Sequence, residues 1–426
     1  MELNAVMKIL RLNSISGPIG GLEDYIENVN GLLKNAGHEI FTITLTTVGT
    51  SSKSDQHVLI KLDGSPIVRM LNDSVQNDDL LRTLDSYYDN FKPDLIHLHH
   101  YRIAFATVSR FLMSKKVPVV FTAHDALAVC PLSTLVKPGN IICEGGVAVR
   151  CGFTGCKIHS HLPYEIALSK SFKKLAKEKI KAFICPSYSI QNYLVSNNFS
   201  PAVHLPSFSY FDPEVINKEP DYDRILSQRN IGFIGRLEWY KGIDDLIRGF
   251  KIFLNKYPGY NLIIAGAGPY EKNLRNLTLE LGIKERVNWI GKINKVQRED
   301  FFKQIVCNVV PSKYWENFAL SAQESLLRSV PTIGTRIGGI PEIVQDGVTG
   351  YLVKIASPSE IADKLAQIVE NKDSSTRLIM KNGREFVMHN LNPEKHIQGL
   401  LDIYGKVVSG IELENGYDAN FTSVEN

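Results

Sequence analysis

The stretch NIGFIGRLEWYKGIDDLIRGF, residues 230–250, decides the fold. NIGFIG (230–235) reads as a buried strand, RLEWYK as a short loop carrying Arg236 and Lys241, and the residues from about 242 to 256 as a helix. A short β-branched run followed by an amphipathic helix is one unit of a parallel α/β sheet. The unit repeats downstream. YNLIIAG (260–266), RVNWIG (286–291), CNVVP (307–311) and PTIGT (331–335) alternate with helices near 269–281, 317–328, 357–371 and 374–389. Upstream, residues 206–229 are polar and contain Pro and Asp, which suits a linker. Before them KILRLN (8–13), EIFTITLT (39–46), DLIHLH (94–99), VPVVFTA (117–123) and AFICPS (182–187) form a second set of strands, with a helix from about Gly21 to Ala36. The expected fold is α/β, with two doubly wound, Rossmann-like parallel-sheet domains facing across a cleft. The expected boundaries are 1–205, a linker at 206–229, 230–392, a helix at 393–410 that packs back on the first domain, and a disordered tail at 411–426.

Composition narrows the function. The 426 residues carry 48 Lys and Arg against 45 Asp and Glu, a balance of +3 that is too small for a phosphate-neutralising nucleic-acid surface. No apolar run reaches the roughly 18 residues of a membrane span. Lys8 and Arg11 interrupt the only apolar run near the N-terminus, so a signal peptide is not expected and a cytoplasmic location is. In a reducing compartment the six cysteines would not pair as disulfides.

Ligands of such sheets bind beyond the carboxyl ends of the strands, which directs the reading to the residues after each strand. Gly17, Gly20 and Gly21 follow the first strand and lead into a helix; Gly266 and Gly268 repeat the arrangement in the second half. Such turns either bring backbone N–H groups to an anion or simply close a tight connection. Glu271 replaces the third glycine of the dinucleotide fingerprint, which weakens a nicotinamide oxidoreductase. Arg236 and Lys241, beside a helix start, would neutralise a departing diphosphate, or are two solvated charges. PSKYWENFALSAQES (311–325) places Glu316 and Glu324 with seven residues between them. With a helix starting near Asn317 they stand roughly 12 Å apart, too far for an acid/base dyad and suited to two hydroxylated ends of one elongated ligand.

Glu316…Glu324, together with GGLEDY, FIGRLEWYKG, AGAGPYEKNL and GGIPEIVQDGVTGYLV, resembles the retaining glycosyltransferases of family 4, which have the GT-B fold. The resemblance covers most of residues 8–408 and implies roles. Arg236 and Lys241 would hold the diphosphate of a nucleotide-sugar donor. Glu316, with backbone amides from Asn317, Phe318, Ala319 and Leu320, would contact the transferred sugar, and Glu324 the nucleotide ribose. Gly20 and Gly21 would approach the phosphate and acceptor side. His124 matches the family's histidine beside the donor sugar. Ala319 and Asn317 depart from the family's usual Gly or Pro. The implied reaction is transfer to an acceptor hydroxyl with retained configuration. The Arg236/Lys241 pair would stabilise the leaving diphosphate without a metal cofactor, and the lack of an export signal together with the basic helical stretch 167–182 suggests a saccharide or lipid-linked acceptor of surface polysaccharide or glycolipid assembly. A nucleotide-sugar epimerase of the same fold and a non-catalytic sugar-nucleotide binding partner are the rivals.

Three further features stand outside that resemblance. Asp221-Tyr222-Asp223 spells a metal-site motif of another fold but lies in the linker, so it is assigned to chance. Cys130, Cys143, Cys151 and Cys156 crowd one stretch and either bind a structural zinc or are isolated cysteines. In the helical stretch 167–182 the apolar face is Leu168, Phe172, Leu175, Ala176 and Ile180, and Lys170, Lys173, Lys174, Lys177 and Lys181 lie opposite. It would rest peripherally on an anionic inner membrane face, or is a surface helix with its lysines outward. His97, His99 and His100 read as cleft lining.

Overall fold

A computed structural model describes residues 6–15, 21–63, 74–100, 102–137, 139, 141–154, 156, 162–209, 213–370 and 374–415. The alternating runs become two sheets in two units: residues 1–133, 144–207 and 393–426 form the first, 134–143 and 208–392 the second. Strands are numbered along the whole chain.

In the first unit, β1 (Lys8–Ile15), β2 (Glu39–Thr46), β3 (Ser52–Lys53), β4 (His57–Lys61), β5 (Leu95–Leu98), β6 (Val119–Thr122), β9 (Ile180–Cys185) and β10 (Ala202–His204) order as β10-β9-β6-β5-β1-β2-β4-β3. All neighbours are parallel except β3 and β4. The chain leaves β1 toward β2 on one side and resumes at β5 on the other. The topological switch therefore lies between β1 and β5. Helices on both faces explain why these strands are near-continuous apolar runs. Arg11 in β1 and His97 in β5 break that rule, for both are wholly buried.

The second unit pairs β11 (Asn230–Ile234), β12 (Asn261–Ala265), β13 (Val287–Gly291), β14 (Cys307–Val310), β15 (Thr332–Thr335) and β16 (Tyr351–Val353) in the order β13-β12-β11-β14-β15-β16, all parallel. Its switch lies between β11 and β14. A small antiparallel hairpin, β7 (Val136–Lys137) with β8 (Ile141–Ile142), also belongs to this unit. The helix Ile243–Leu254 buries Leu246, Ile247, Phe250 and Phe253 in one core with Ile231, Phe233 and Ile264 of the sheet.

Three expectations change. Residues 206–229 are not a free linker: from Phe208 onward they belong to the second unit, and the helix Tyr222–Ser227 buries Ile225 and Leu226 in its core. Asp221 caps that helix, accepting from Arg224 N at 2.9 Å, and Asp223 pairs with Arg377. Both carboxylates of the motif-like triplet are thus structural. Residues 134–143 leave the first unit for the second, which the sequence boundaries do not show. The helix Pro393–Val408 lies in the first unit, and the segment after it stays with that unit. There Asn415 Oδ1 accepts from Ala202 N (2.9 Å) and Ser200 Oγ (3.2 Å), covering the outer edge of β10. The predicted disorder therefore does not hold for 411–415, and 416–426 lie outside the described residues.

Candidate functional site

The clearest polar cluster of the second unit sits at its topological switch, where the loops after β11 and β14 meet. Lys313 fastens them: its Nζ lies 2.8 Å from Asp244 and 2.9 Å from Asp245, and its N–H donates to Tyr240 O at 2.7 Å. Lys241, thus placed, donates to Glu316 Oε1 (2.9 Å), Glu316 Oε2 (3.0 Å) and Tyr314 Oη (3.1 Å). Its ammonium also stands 4.8 Å from the centre of the Tyr314 ring. Ser312 Oγ donates to Glu316 Oε2 at 2.8 Å. Glu316 is buried, and all of these partners converge on its carboxylate. Three acceptor positions on the carboxylate are used, out of about four.

Backbone geometry holds Glu316 as firmly as its side-chain partners do. Gly339 N donates to Glu316 O at 2.7 Å. Gly338 has φ +60°, and a Cβ there would lie 2.2 Å from Glu316 O, so only glycine fits without moving the loop. Gly266 and Gly268 serve the same close approach on the other side of the switch. A Cβ would lie 1.8 Å from Gly235 O at the first and 2.4 Å from Leu237 O at the second.

The other predicted residues are placed differently from the reading. Arg236 does not join Lys241: its side chain is 63% exposed and pairs with Glu238 at 2.9 Å. The helix after Glu316 spans Leu320–Leu327 and does not begin at Asn317. Ala319, at φ −77° and ψ 84°, is its N-cap and supplies no side-chain cap. The simple helical separation of Glu316 and Glu324 therefore fails, because 316–319 are not helical. The first helical bonds run from Ala322 N and Gln323 N to Ala319 O (3.0 and 3.2 Å), which leaves Leu320 and Ser321 N–H ahead of the ladder. Asn317 is buried beside them. Glu324 has a side chain only 10% exposed. It is buried and meets Arg298 Nη1 at 2.5 Å, while its carbonyl accepts from Arg328 at 2.8 Å.

In the first unit the strand ends gather histidines. His99 and His100 follow β5, and His124 follows β6. His97 and His99 are wholly buried with ring centres 4.0 Å apart, so they are core residues and not cleft lining. Arg11 Nε donates to His99 Nε2 at 2.9 Å, and His99 Nδ1 lies 2.8 Å from His124 Nε2. Two residues of the C-terminal helix close the cluster. His396 Nδ1 donates to Pro206 O at 2.7 Å, so its Nε2 accepts from Tyr25 Oη at 2.9 Å. Tyr404 Oη lies 2.5 Å from His97 Nδ1. Burial holds His97, His99 and His124 well below the ordinary imidazole range, with the Arg11 cation adding to the effect, and brings His396 down to about 4. Burial pushes the Tyr25 hydroxyl up to about 12. Gly20 lies outside the described residues; Gly21 opens the helix Gly21–Asn35.

Among the described residues no group of three or more His, Cys, Asp or Glu side chains is placed to hold a metal. Cys143 follows β8 in the segment assigned to the second unit, whereas Cys130, Cys151 and Cys156 belong to the first. Cys151 lies in a tight turn with Sγ 3.9 Å from Gly146 O, and Cys156 Sγ accepts from Thr154 at 3.4 Å. Sequence reading also missed Ser312, Lys313, Tyr314 and Arg298. Their signal was available, since three of them directly follow the strand β14.

Comparison with known proteins covers both units. Residues 19–205 match the model described as Glycosyltransferase Family 4, and residues 217–386 the model described as Glycosyl transferases group 1. An uncharacterized glycosyltransferase of Methanocaldococcus jannaschii is 23% identical over 400 residues, 94% of this chain and 98% of that protein. Sucrose-phosphate synthase from Thermosynechococcus elongatus superposes with a TM-score of 0.73 at 18% identity, over 95% of this chain and all of that one. HepE of Anabaena, solved in complex with UDP and glucose, gives 0.68 at 16% identity over 94% of this chain and 99% of that one.

Proposed function

Because the chain belongs to glycosyltransferase family 4 and has the GT-B fold, we propose that it moves a sugar from a nucleotide-diphosphate donor to an acceptor hydroxyl, with retention of the anomeric configuration. The observation that carries the reading is the Lys241–Glu316–Ser312 cluster at the switch point of the second sheet, where ligands of doubly wound sheets bind. HepE, of the same fold, is solved with UDP-glucose.

The second unit takes the donor and the first the acceptor. Lys241 exchanges Tyr314 for a phosphate oxygen while keeping Glu316, and Arg236 swings in from its exposed pair with Glu238. Together with the uncapped N–H groups of Leu320 and Ser321 they hold the charge that grows as the diphosphate leaves. Glu316 spends its remaining acceptor position on a sugar hydroxyl. Glu324, held by Arg298, receives the ribose hydroxyls. An acceptor hydroxyl attacks from the face that the diphosphate vacates: the C1–O bond to the diphosphate breaks as the new C1–O bond forms, and the hydroxyl proton passes to the departing phosphate oxygen. His124 donates a hydrogen bond to a substrate oxygen. The acceptor is a saccharide or lipid-linked saccharide of surface polysaccharide or glycolipid assembly.

A peripheral contact with anionic lipid through the lysine-rich helix is part of the proposal, and the fold restricts its form. In the helix Leu162–Lys179, Leu168, Phe172, Leu175 and Ala176 are buried in the first unit. The apolar face is spent on the core, so exposed Lys170, Lys173, Lys174 and Lys177 can act only by electrostatic attraction. No described helix is long and apolar enough to cross a membrane.

A thermal-shift screen across UDP-, GDP- and ADP-sugars tests the donor, because a ligand of the folded state alone raises the melting temperature. One donor should raise it by several degrees, and NMR of the transfer product should show the donor's anomeric configuration. No shift with any donor, or release of a free epimer without acceptor, overturns the reading.

A further inference from the structure

Among the described residues, Arg11 is a buried cation that meets no carboxylate. It lies in β1 at zero exposure, and its guanidinium donates to three neutral acceptors: His99 Nε2 (2.9 Å), Asn30 Oδ1 (2.7 Å) and Ile26 O (3.4 Å). Its Nη2 makes no hydrogen bond. A guanidinium offers only donors and keeps its proton, so the direction of each bond is fixed. His99 Nε2 must present a lone pair to Arg11. The single proton of the neutral ring then sits on Nδ1.

That assignment propagates. His99 Nδ1 lies 2.8 Å from His124 Nε2, so it donates and His124 Nε2 accepts. His124 must therefore carry its own proton on Nδ1. We propose that Arg11, acting through His99, locks His124 as the Nδ1–H tautomer, so that His124 always offers substrate an N–H donor and never a lone pair. The proposal rests on the reading of His124 as a hydrogen-bond donor to substrate. Arg11 and His99 are positioning residues in it; His124 is the group that touches substrate.

Two observations agree. His124 Nδ1 makes no hydrogen bond among the described residues and His124 is partly exposed, so the relay ends on a proton that a ligand oxygen can take up. The surroundings also oppose a second proton on either ring. His97 stacks on His99, Tyr25 stands edge-on 5.3 Å from His124, and His100 lies beside it, paired at 3.4 Å with Asp125. A protonated His99 would set an N–H against the Arg11 N–H. Which ring nitrogen holds the proton is generally set by the bond that the other nitrogen makes, and here a permanent cation makes it.

The test reads the tautomer directly. In the full chain labelled with 15N-histidine, long-range 1H–15N correlation distinguishes protonated from bare ring nitrogens, with His124 assigned by its loss in His124→Asn. The wild type should show His124 Nδ1 protonated and Nε2 bare, across the range from neutral to mildly acidic pH. His99→Gln keeps an acceptor for Arg11 and a donor for His124, and should preserve that signature. His99→Leu removes both and should release His124 to populate both tautomers. Nucleotide release from the donor that the thermal-shift screen identifies should fall on the order of tenfold in His99→Leu and stay within about threefold of wild type in His99→Gln. A wild-type His124 with Nε2 protonated overturns the inference, and so does an unchanged tautomer in a folded His99→Leu. If His99→Leu does not fold, the wild-type and His99→Gln spectra decide. Absence of nucleotide release from every UDP-, GDP- and ADP-sugar counts against the functional reading alone, and the tautomer still decides this one.

Discussion

Both polar clusters stand at the switch point of a parallel sheet, yet they handle charge in opposite ways. In the second unit the half-buried cations of the switch region each have an anion: Lys241 meets Glu316, Lys313 meets Asp244 and Asp245, and Arg298 meets Glu324. In the first, Arg11 is surrounded by neutral rings, amides and hydroxyls. Compensated pairs can rearrange to admit an anionic ligand, because a phosphate replaces one acceptor by another of the same sign. A lone cation among imidazoles cannot be rearranged cheaply. It fixes which nitrogen of each ring holds a proton, and it suits a site that presents one unvarying donor. The two clusters should therefore fail differently when perturbed.

The largest effect is expected from Glu316→Gln. The substitution preserves shape but leaves Lys241 without its counter-charge and the sugar without a carboxylate, so kcat should fall on the order of 10²- to 10³-fold. Stability should fall by up to about 3 kcal/mol, since removing one partner of a largely buried pair strands the other. Pairing it with Lys241→Met should restore part of the melting temperature but none of the turnover. Turnover within about threefold of wild type would erase the functional half of the contrast.

Acidification should separate the two units next. His396 has a folded-state pKa of about 4 against an ordinary 6.5, because burial disfavours its charged form. The unfolded chain binds more protons between those values, so the stability contributed by neutral His396 is complete above about pH 6.5 and is lost as pH falls toward 4. Two and a half units correspond to about 3 kcal/mol. His97, His99 and His124 shift in the same direction, in a cluster also faced by Arg11, Tyr25, His100, Asp125 and Tyr404. All three tryptophans, Trp239, Trp289 and Trp315, lie in the second unit, so their emission reports that unit alone. Between pH 6.5 and 4.5, hydrogen exchange should quicken in β5, β6 and 393–408 before the emission moves. Arg11→Met removes one cause of the depressed histidine values and should make the acid loss shallower. Emission changing first would contradict the assignment of acid sensitivity to the first unit.

A smaller and more local effect should follow from Gly338→Ala. The added methyl group would lie 2.2 Å from Glu316 O in a backbone with φ +60°, so the loop must shift. A stability cost of about 1–3 kcal/mol is expected, with kcat reduced more than donor affinity. Unchanged kinetics would show that Glu316 is held by Lys241 and Ser312 alone.

How much of this contrast the sequence could carry depends on what each cluster needs. Strands β11 and β14 and the residues after them are adjacent in sequence to their motifs, so Lys241 and Glu316 are legible once the alternation is seen. Their mutual pairing is not, because it depends on the order of strands in the sheet. Arg11 shows the other limit. Within an apolar run it reads only as an interruption, since its partners His99, Asn30 and Ile26 come from the end of a different strand and from a helix. The cysteines show a related limit: nearness in sequence between Cys130 and Cys143 does not reveal that they are assigned to different units. Helix Leu320–Leu327 begins three residues late because Ala319 has a non-helical ψ that no propensity records.

The smallest effect tests a surface that belongs to neither cluster. Lys173 and Lys174 are exposed on a helix whose buried face already contributes to the core, so replacing both with Glu should change stability by no more than about 0.5 kcal/mol. Turnover of a soluble donor and acceptor should be unaltered. Each lysine near an anionic surface contributes on the order of 1 kcal/mol, so a double charge reversal should cut co-sedimentation with phosphatidylserine vesicles at low salt by tenfold or more. The same vesicles at high salt should release the wild type, because adsorption without an inserted apolar face is screened over about a Debye length. Binding that survives high salt would require apolar insertion, for which this helix has no face left.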